Sequence, residues 1–138
     1  MKSNETAPVS KPPTSPKRDT DPKRVQAQKR GRVAETLVAW GLRLKGWRIL
    51  ARNYKTQVGE LDLVAKRANT LIFIEVKART DEKTALESVS PKQRSRIQRA
   101  AEQFLIHHPP LQVCDIRFDV ALVTGFLRFK HLSDAWRP

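Results

Sequence analysis

The stretch GELDLVAKRANTLIFIEVKAR, Gly59–Arg79, decides the fold. Apolar and polar residues alternate through Glu60-Leu61-Asp62-Leu63, which is the pattern of a strand. Leu71 to Val76 is almost wholly apolar and reads as a second strand, with Ala68-Asn69-Thr70 as the turn between them. Side chains two apart on a strand share a face. Glu60 and Asp62 therefore lie together, as do Glu75, Lys77 and Arg79. Antiparallel pairing through the turn brings Asp62 close to Glu75. Two carboxylates and a lysine then converge at the end of an apolar sheet. Burying such charges is costly unless something pairs with them, and a divalent cation is the obvious partner.

Towards the N-terminus, Lys55 to Gly59 reads as a hairpin turn and Trp47 to Tyr54 as a preceding strand. Before it, Gly31 to Lys45 reads as a helix. Val33, Leu37, Trp40 and Leu44 recur at spacings of four, three and four, a stripe expected to face the core, and Gly46 suits the C-cap. Trp40 and Trp47 are both expected in the core. Residues 1–29 are rich in Pro, Ser, Thr and Lys with few large apolar groups, so they read as a disordered basic tail ahead of one domain, 30–138.

Towards the C-terminus, Thr80 to Val89 is polar and reads as a mobile connection. A helix then starts with Ser90 as N-cap and Pro91 at its first position. Ile97, Ala101, Phe104 and Leu105 make its apolar stripe, and Pro109-Pro110 ends it. Val113 to Val123 reads as a strand, Gly125 as a turn, and Phe126 to Leu132 as an edge strand. The order is helix, three strands, helix, two strands. The first three strands can form an antiparallel meander, and the second helix can cross over so that the fourth strand runs parallel to the third.

The chain has 138 residues, enough for one domain. It carries 27 basic against 14 acidic side chains, a net charge of +13. Such a surface attracts polyanions, nucleic acid first among them. Residues 1–30 hold 8 basic and 3 acidic side chains, so most of the excess belongs to the domain. The single cysteine, Cys114, allows no internal disulfide, which suits a reducing compartment. No apolar run approaches the ~20 residues of a membrane helix. The expectation is a cytoplasmic protein with no membrane partner.

The charged cluster suits one chemistry. Magnesium-type ions take hard oxygen ligands and keep several waters. Asp62 and Glu75 supply two carboxylates, and the Val76 backbone carbonyl could supply a third oxygen. Lys77 could orient a water or stabilise charge on the phosphate. The cluster thus suits metal-assisted hydrolysis of a phosphodiester with Mg2+ or Mn2+. A structural salt-bridge cluster is the alternative, although it leaves unexplained why acids gather inside so basic a protein. Arg52 and Asn53, Arg79, and the helix residues Lys92, Gln93, Arg94 and Arg96 could hold nucleic acid, or could be ordinary strand-end and solvated-face polarity.

Several spaced motifs then line up. Gly31-x-x-x-Glu35, Arg52-Asn53, Gly59-Glu60-x-Asp62, Phe73-Ile74-Glu75-Val76-Lys77-x-Arg79, Lys92 and Arg117-Phe118-Asp119-Val120 occur in that order. Over about residues 31–133 the chain resembles the YraN-like family, whose members are read as endonucleases by similarity. That family is similar to archaeal Holliday-junction resolvases and is grouped with the restriction-endonuclease-like, PD-(D/E)xK fold. The resemblance implies an α/β fold with a central mixed β-sheet flanked by helices. It implies DNA as substrate, possible selectivity for branched or damaged DNA, Asp62 and Glu75 as metal ligands and Lys77 as catalytic lysine. Glu35 would match a helix glutamate that helps the metal site. Leu61 stands where a proline usually precedes the Asp. Resolvases of the superfamily act as dimers, so a homodimer is an option for this chain. Asp119, inside the last motif, reads as structural.

Overall fold

A computed structural model describes residues 21–79, 81–125 and 128–138. Five strands make one sheet in sequence order: β1 (Arg48–Lys55), β2 (Glu60–Arg67), β3 (Thr70–Ala78), β4 (Asp115–Gly125) and β5 (Arg128–Trp136). The β1-β2-β3 meander and the β4-β5 pair are antiparallel, and β3 pairs β4 in parallel. A parallel step needs a crossover. Here α2 (Glu82–Glu87) and α3 (Pro91–His107) supply it. Helix α1 (Pro22–Leu44) covers the opposite face. The result is the α/β mixed sheet flanked by helices that the element order allowed and the resemblance implied.

β3 is buried on both sides, which explains its unbroken apolar run. Its Leu71 and Phe73 join Ile97, Phe104 and Phe118 in the core under α3. Its Ile72 and Ile74 join Val38, Leu42, Trp47 and Leu63 in the core under α1.

α1 departs from expectation in two ways. It starts at Pro22, inside the segment read as tail, because Asp21 caps Lys23 N–H and Pro22 fits the first turn. Its buried face is also the reverse of the one expected. Ala34, Val38, Ala39 and Leu42 pack on the sheet, whereas Val33, Trp40 and Leu44 are 67%, 60% and 86% exposed. The small residues let the helix lie close to the strands. At Gly41 any Cβ would overlap the ring of Phe129. The helix ends as read: Gly46 has φ 90°, and Gly46 and Trp47 N–H donate back to the Arg43 and Leu42 carbonyls.

Three further differences follow from local hydrogen bonds. The connection read as mobile contains α2, capped where Asp81 accepts from Thr84 N–H. Thr80 itself lies outside the described residues, as do residues 1–20 of the expected tail. Pro109–Val113 forms a 3-10 turn, so β4 begins at Asp115. The last strand runs on to Trp136, and its expected start, Phe126-Leu127, lies outside the described residues. It continues because β5 bulges near Asp134, which has φ 54° and donates its N–H to Asp119 Oδ1 at 2.8 Å. Fully buried Asp119 also accepts from Arg117 through two bonds of 2.9 Å and meets His131 Nε2 at 2.6 Å. Burial pushes its carboxyl up, but these bonds hold it below the ordinary carboxylate value. Asp119 pins β5 to β4.

Candidate active site

The sheet carries its acids where a ladder breaks off. Pairing of β2 with β3 runs from Arg67↔Thr70 to Leu63↔Ile74. Beyond that point the Asp62 carboxylate replaces a backbone acceptor: Val76 N–H donates to Asp62 Oδ2 at 2.9 Å. The strand twists there, since Leu61 and Val64, three residues apart, both pack in the core under α3. Asp62 is thus fixed to the strand that carries Glu75.

Glu75 follows Phe73 on the α3 face of β3 and is 7% exposed. Its carboxyl is pushed up to about 9. Burial is the largest cause. A hydrogen bond to Asp62 and the charge of Asp62 add to it, Lys77 opposes it, and Glu35 adds a little more. Asp62 and Glu75 therefore share one site and do not point to opposite sides of the sheet. Lys77 Nζ lies 3.9 Å from Glu75 Oε2. Asp62 and Glu75 line a small pit with Glu60, Leu61, Phe73, Ile74 and Ile97.

Gln93, in the first turn of α3, completes the cluster. Its Nε2 donates to Glu75 Oε2 at 2.5 Å, and its Oε1 accepts from Lys77 Nζ at 3.4 Å. The sequence alone places Gln93 among groove-lining residues and does not reveal this role. The available signal was its position three residues after the Ser90 cap, on a helix that the crossover returns over β3. Ser90 itself accepts from Gln93 N–H at 3.1 Å, which fixes the backbone of that turn.

Glu35 approaches from α1. Burial raises its carboxyl first and Asp62 adds to the effect, while a hydrogen bond from Asn53 opposes it. Asn53 has φ 51°, a left-handed conformation that asparagine tolerates better than most residues. Arg52 Nη2 donates to Thr36 Oγ1 at 2.8 Å. Arg52 and Asn53 thus tie β1 to α1 beside the acids. Among the described residues no third acid, histidine or cysteine joins Asp62 and Glu75 in a ready three-ligand cluster; Glu35 acts on the pair through its charge.

The expected nucleic-acid residues divide. Lys92 and Arg96 are exposed on α3, and Arg96 faces the β1–β2 turn. Arg94 turns to the other flank, donating to the Val89 carbonyl at 3.0 Å and lying 5.7 Å over the Trp136 ring. Arg79 is exposed and bonds the adjacent Ala78 carbonyl. Val76 serves through its backbone while its side chain packs under α1. No described helix is long and apolar enough to cross a membrane.

The model of the uncharacterised protein family UPF0102 matches residues 34–123, from α1 through β4. The chain is 49% identical over 115 residues to a UPF0102 protein of Paramagnetospirillum magneticum, covering 80% of this chain and 89% of that one. It is 46% identical over 112 residues to a UPF0102 protein of Parvibaculum lavamentivorans, covering 81% and 84%. A third relative, from Maricaulis maris, is 44% identical over 115 residues, covering 83% and 91%. The matched span contains both acids, the lysine, Gln93 and the helix glutamate, and the chain belongs to the UPF0102 family, the YraN-like proteins.

Proposed function

We propose that the chain is a metal-dependent DNA endonuclease that hydrolyses phosphodiester bonds. One observation carries this reading: Asp62 and Glu75, from neighbouring strands, line one pit, and Lys77 Nζ lies 3.9 Å from Glu75 Oε2. Two such carboxylates repel each other unless a proton or a cation lies between them. The donors are hard oxygens, and the Val76 carbonyl could add another, which suits Mg2+ or Mn2+. Such an ion, when bound, polarises a phosphate oxygen and makes a water more acidic.

The chain's own groups have distinct parts. Asp62 and Glu75 hold the cation. The Val76 N–H fixes one Asp62 oxygen and leaves the other to turn to a ligand. Gln93 orients Glu75 and Lys77 together. Lys77 stabilises charge on the phosphate or orients the attacking water. Glu35 acts on the pair through its charge, held by Asn53. The net charge of +13 favours a polyanionic substrate. A DNA substrate and the unpaired, buried Cys114 both suit the cytoplasm.

The test is a cleavage screen over branched, nicked, linear and single-stranded DNA with each metal, alongside Asp62→Ala. Metal-dependent cleavage that Asp62→Ala abolishes supports the reading. Wild-type protein that binds DNA but cuts none of these substrates would mark a binding module on a nuclease fold.

A further inference from the structure

Polar and basic side chains gather on one face of α3, three of them cations that make no ion pair among the described residues: Lys92, Arg96 and Arg99. Lys92, Arg96, Arg99, Gln103 and His107 fall at spacings of four, three, four and four, so they form one stripe. The stripe begins beside Gln93 and spans about 22 Å at 1.5 Å per residue. Across from it stands the β1–β2 turn. Arg96 lines an open groove of about 530 Å³ with Lys55, Gln57 and Glu60. Gln103 and His107 line a second, of about 480 Å³, with Tyr54, Lys55 and Gln57. The two grooves share Lys55, Thr56 and Gln57, and the first shares Glu60 with the acid pit. One channel thus leads from the acids along α3.

Its charge is available to a ligand. Among the described residues Lys55, Lys92, Arg96 and Arg99 make no ion pair or hydrogen bond through their side chains. Four cations away from the channel are engaged instead: Arg94 with Val89 and Trp136, Arg117 with Asp119, Lys130 with Glu82, Arg137 with Asp134. Glu60, where the channel meets the pit, is the one acid among the described residues lining either groove. Tyr54 is half-buried and held in T-shaped contacts with Phe104 and His108, so its ring is part of the packing under α3 and does not stand out into the groove. Cations spaced along a groove without a stacking platform suit a phosphate backbone, read without regard to sequence.

We propose that a DNA strand leaves the acid pair along this channel, its phosphates held by Lys55, Lys92, Arg96 and Arg99. The direction of the track rests on the nuclease reading, but the binding does not. At about 3.4 Å per nucleotide along a duplex strand, the stripe faces roughly six phosphates.

The test measures binding of fluorescent single-stranded and duplex DNA in EDTA, across a range of salt, so that no cleavage intervenes. Each lost phosphate contact lowers the slope of log affinity against log salt by about 0.9 on duplex and about 0.7 on single strands. Arg96→Ala/Arg99→Ala should flatten the slope by about 1.4–1.8. Arg96→Lys/Arg99→Lys, which keeps both charges, should retain it. Arg48→Ala/Lys66→Ala removes two cations at the far end of the β1–β2 pair and should leave the slope nearly unchanged. An equal loss in both alanine pairs, or no loss in the first, overturns the proposal. So does matched RNA binding tighter than DNA through the same residues. Normal binding by the channel variants beside metal-dependent cleavage by wild type removes the track and keeps the nuclease. Channel-dependent binding without cleavage does the reverse.

Discussion

Gln93 Nε2 lies 2.5 Å from Glu75 Oε2, and the same amide's oxygen takes Lys77 Nζ at 3.4 Å. A neutral residue on a helix thereby spaces an acid and a base on the neighbouring strand. Groups that orient metal ligands commonly contribute 10–100-fold to affinity or activity. Gln93→Ala should therefore lower the cleavage rate by about that factor while leaving the fold's thermal midpoint close to wild type. Steady-state rates and circular dichroism on the same preparation check both halves.

The Glu75 carboxyl gives a pH dependence whose sign can be worked out. In the folded protein it titrates near 9, against an ordinary value of 4.5. Below the ordinary value both folded and unfolded chains hold the proton and nothing is lost. As pH rises from there towards 9, the unfolded chain releases its proton more readily, so stability falls, and it levels off above 9. Glu75→Gln removes that loss. In chelator, its denaturation midpoint should exceed wild type at pH 8, with the gap closing as pH falls towards 4.5. Equal midpoints at pH 8 would contradict the buried, proton-holding carboxyl.

Asp119 runs the other way. Its carboxyl is held below the ordinary 3.8, so its contribution is present above that value and lost as pH falls through the folded one. Asp119→Asn leaves Arg117 and His131 short of a buried anion. Breaking a buried pair from one side costs about 3–5 kcal/mol, and loss of that order is expected in urea unfolding at pH 7. The variant's stability should also fall less steeply than wild type below pH 4.

The two tryptophans nearest the start of the sheet differ in burial. Trp47 is 4% exposed and Trp40 is 60% exposed. Trp47→Ala should cost about 3–5 kcal/mol by the usual range for buried aromatic truncation. Trp40→Ala, which gives up little beyond Arg43 lying 5.2 Å over its ring, should cost about 1 kcal/mol or less. Chemical denaturation of the two variants side by side distinguishes them.

That contrast marks where sequence reading stopped. The spacing of Val33, Leu37, Trp40 and Leu44 told which residues share a face of α1, and they do. It did not tell which face packs, because contact with β3 favoured the small residues Ala34, Val38 and Ala39, and no periodicity records how closely a sheet approaches. By contrast, Ser90-Pro91 and Gly46 carry their signals within a few residues, and both helix ends fell where read. The Asp62–Glu75 convergence was legible because a short turn fixes the register of the hairpin that carries it. Gln93 was not, since its role depends on a crossover that brings it within reach of a residue 18 positions away. The α2 helix carries no apolar stripe long enough to announce itself, and Asp81 as its cap is the one local sign of it.

The central claim is that Asp62 and Glu75 close around one cation, and manganese binding tests it without any need for cleavage. Titrating Mn2+ into the protein at pH 8 and following free ion by electron paramagnetic resonance should give one site per chain. Asp62→Asn and Glu75→Gln should each abolish it, and Gln93→Ala should only weaken it. Binding that survives removal of either carboxylate, or wild-type protein that takes up no ion at millimolar Mn2+, would contradict the account.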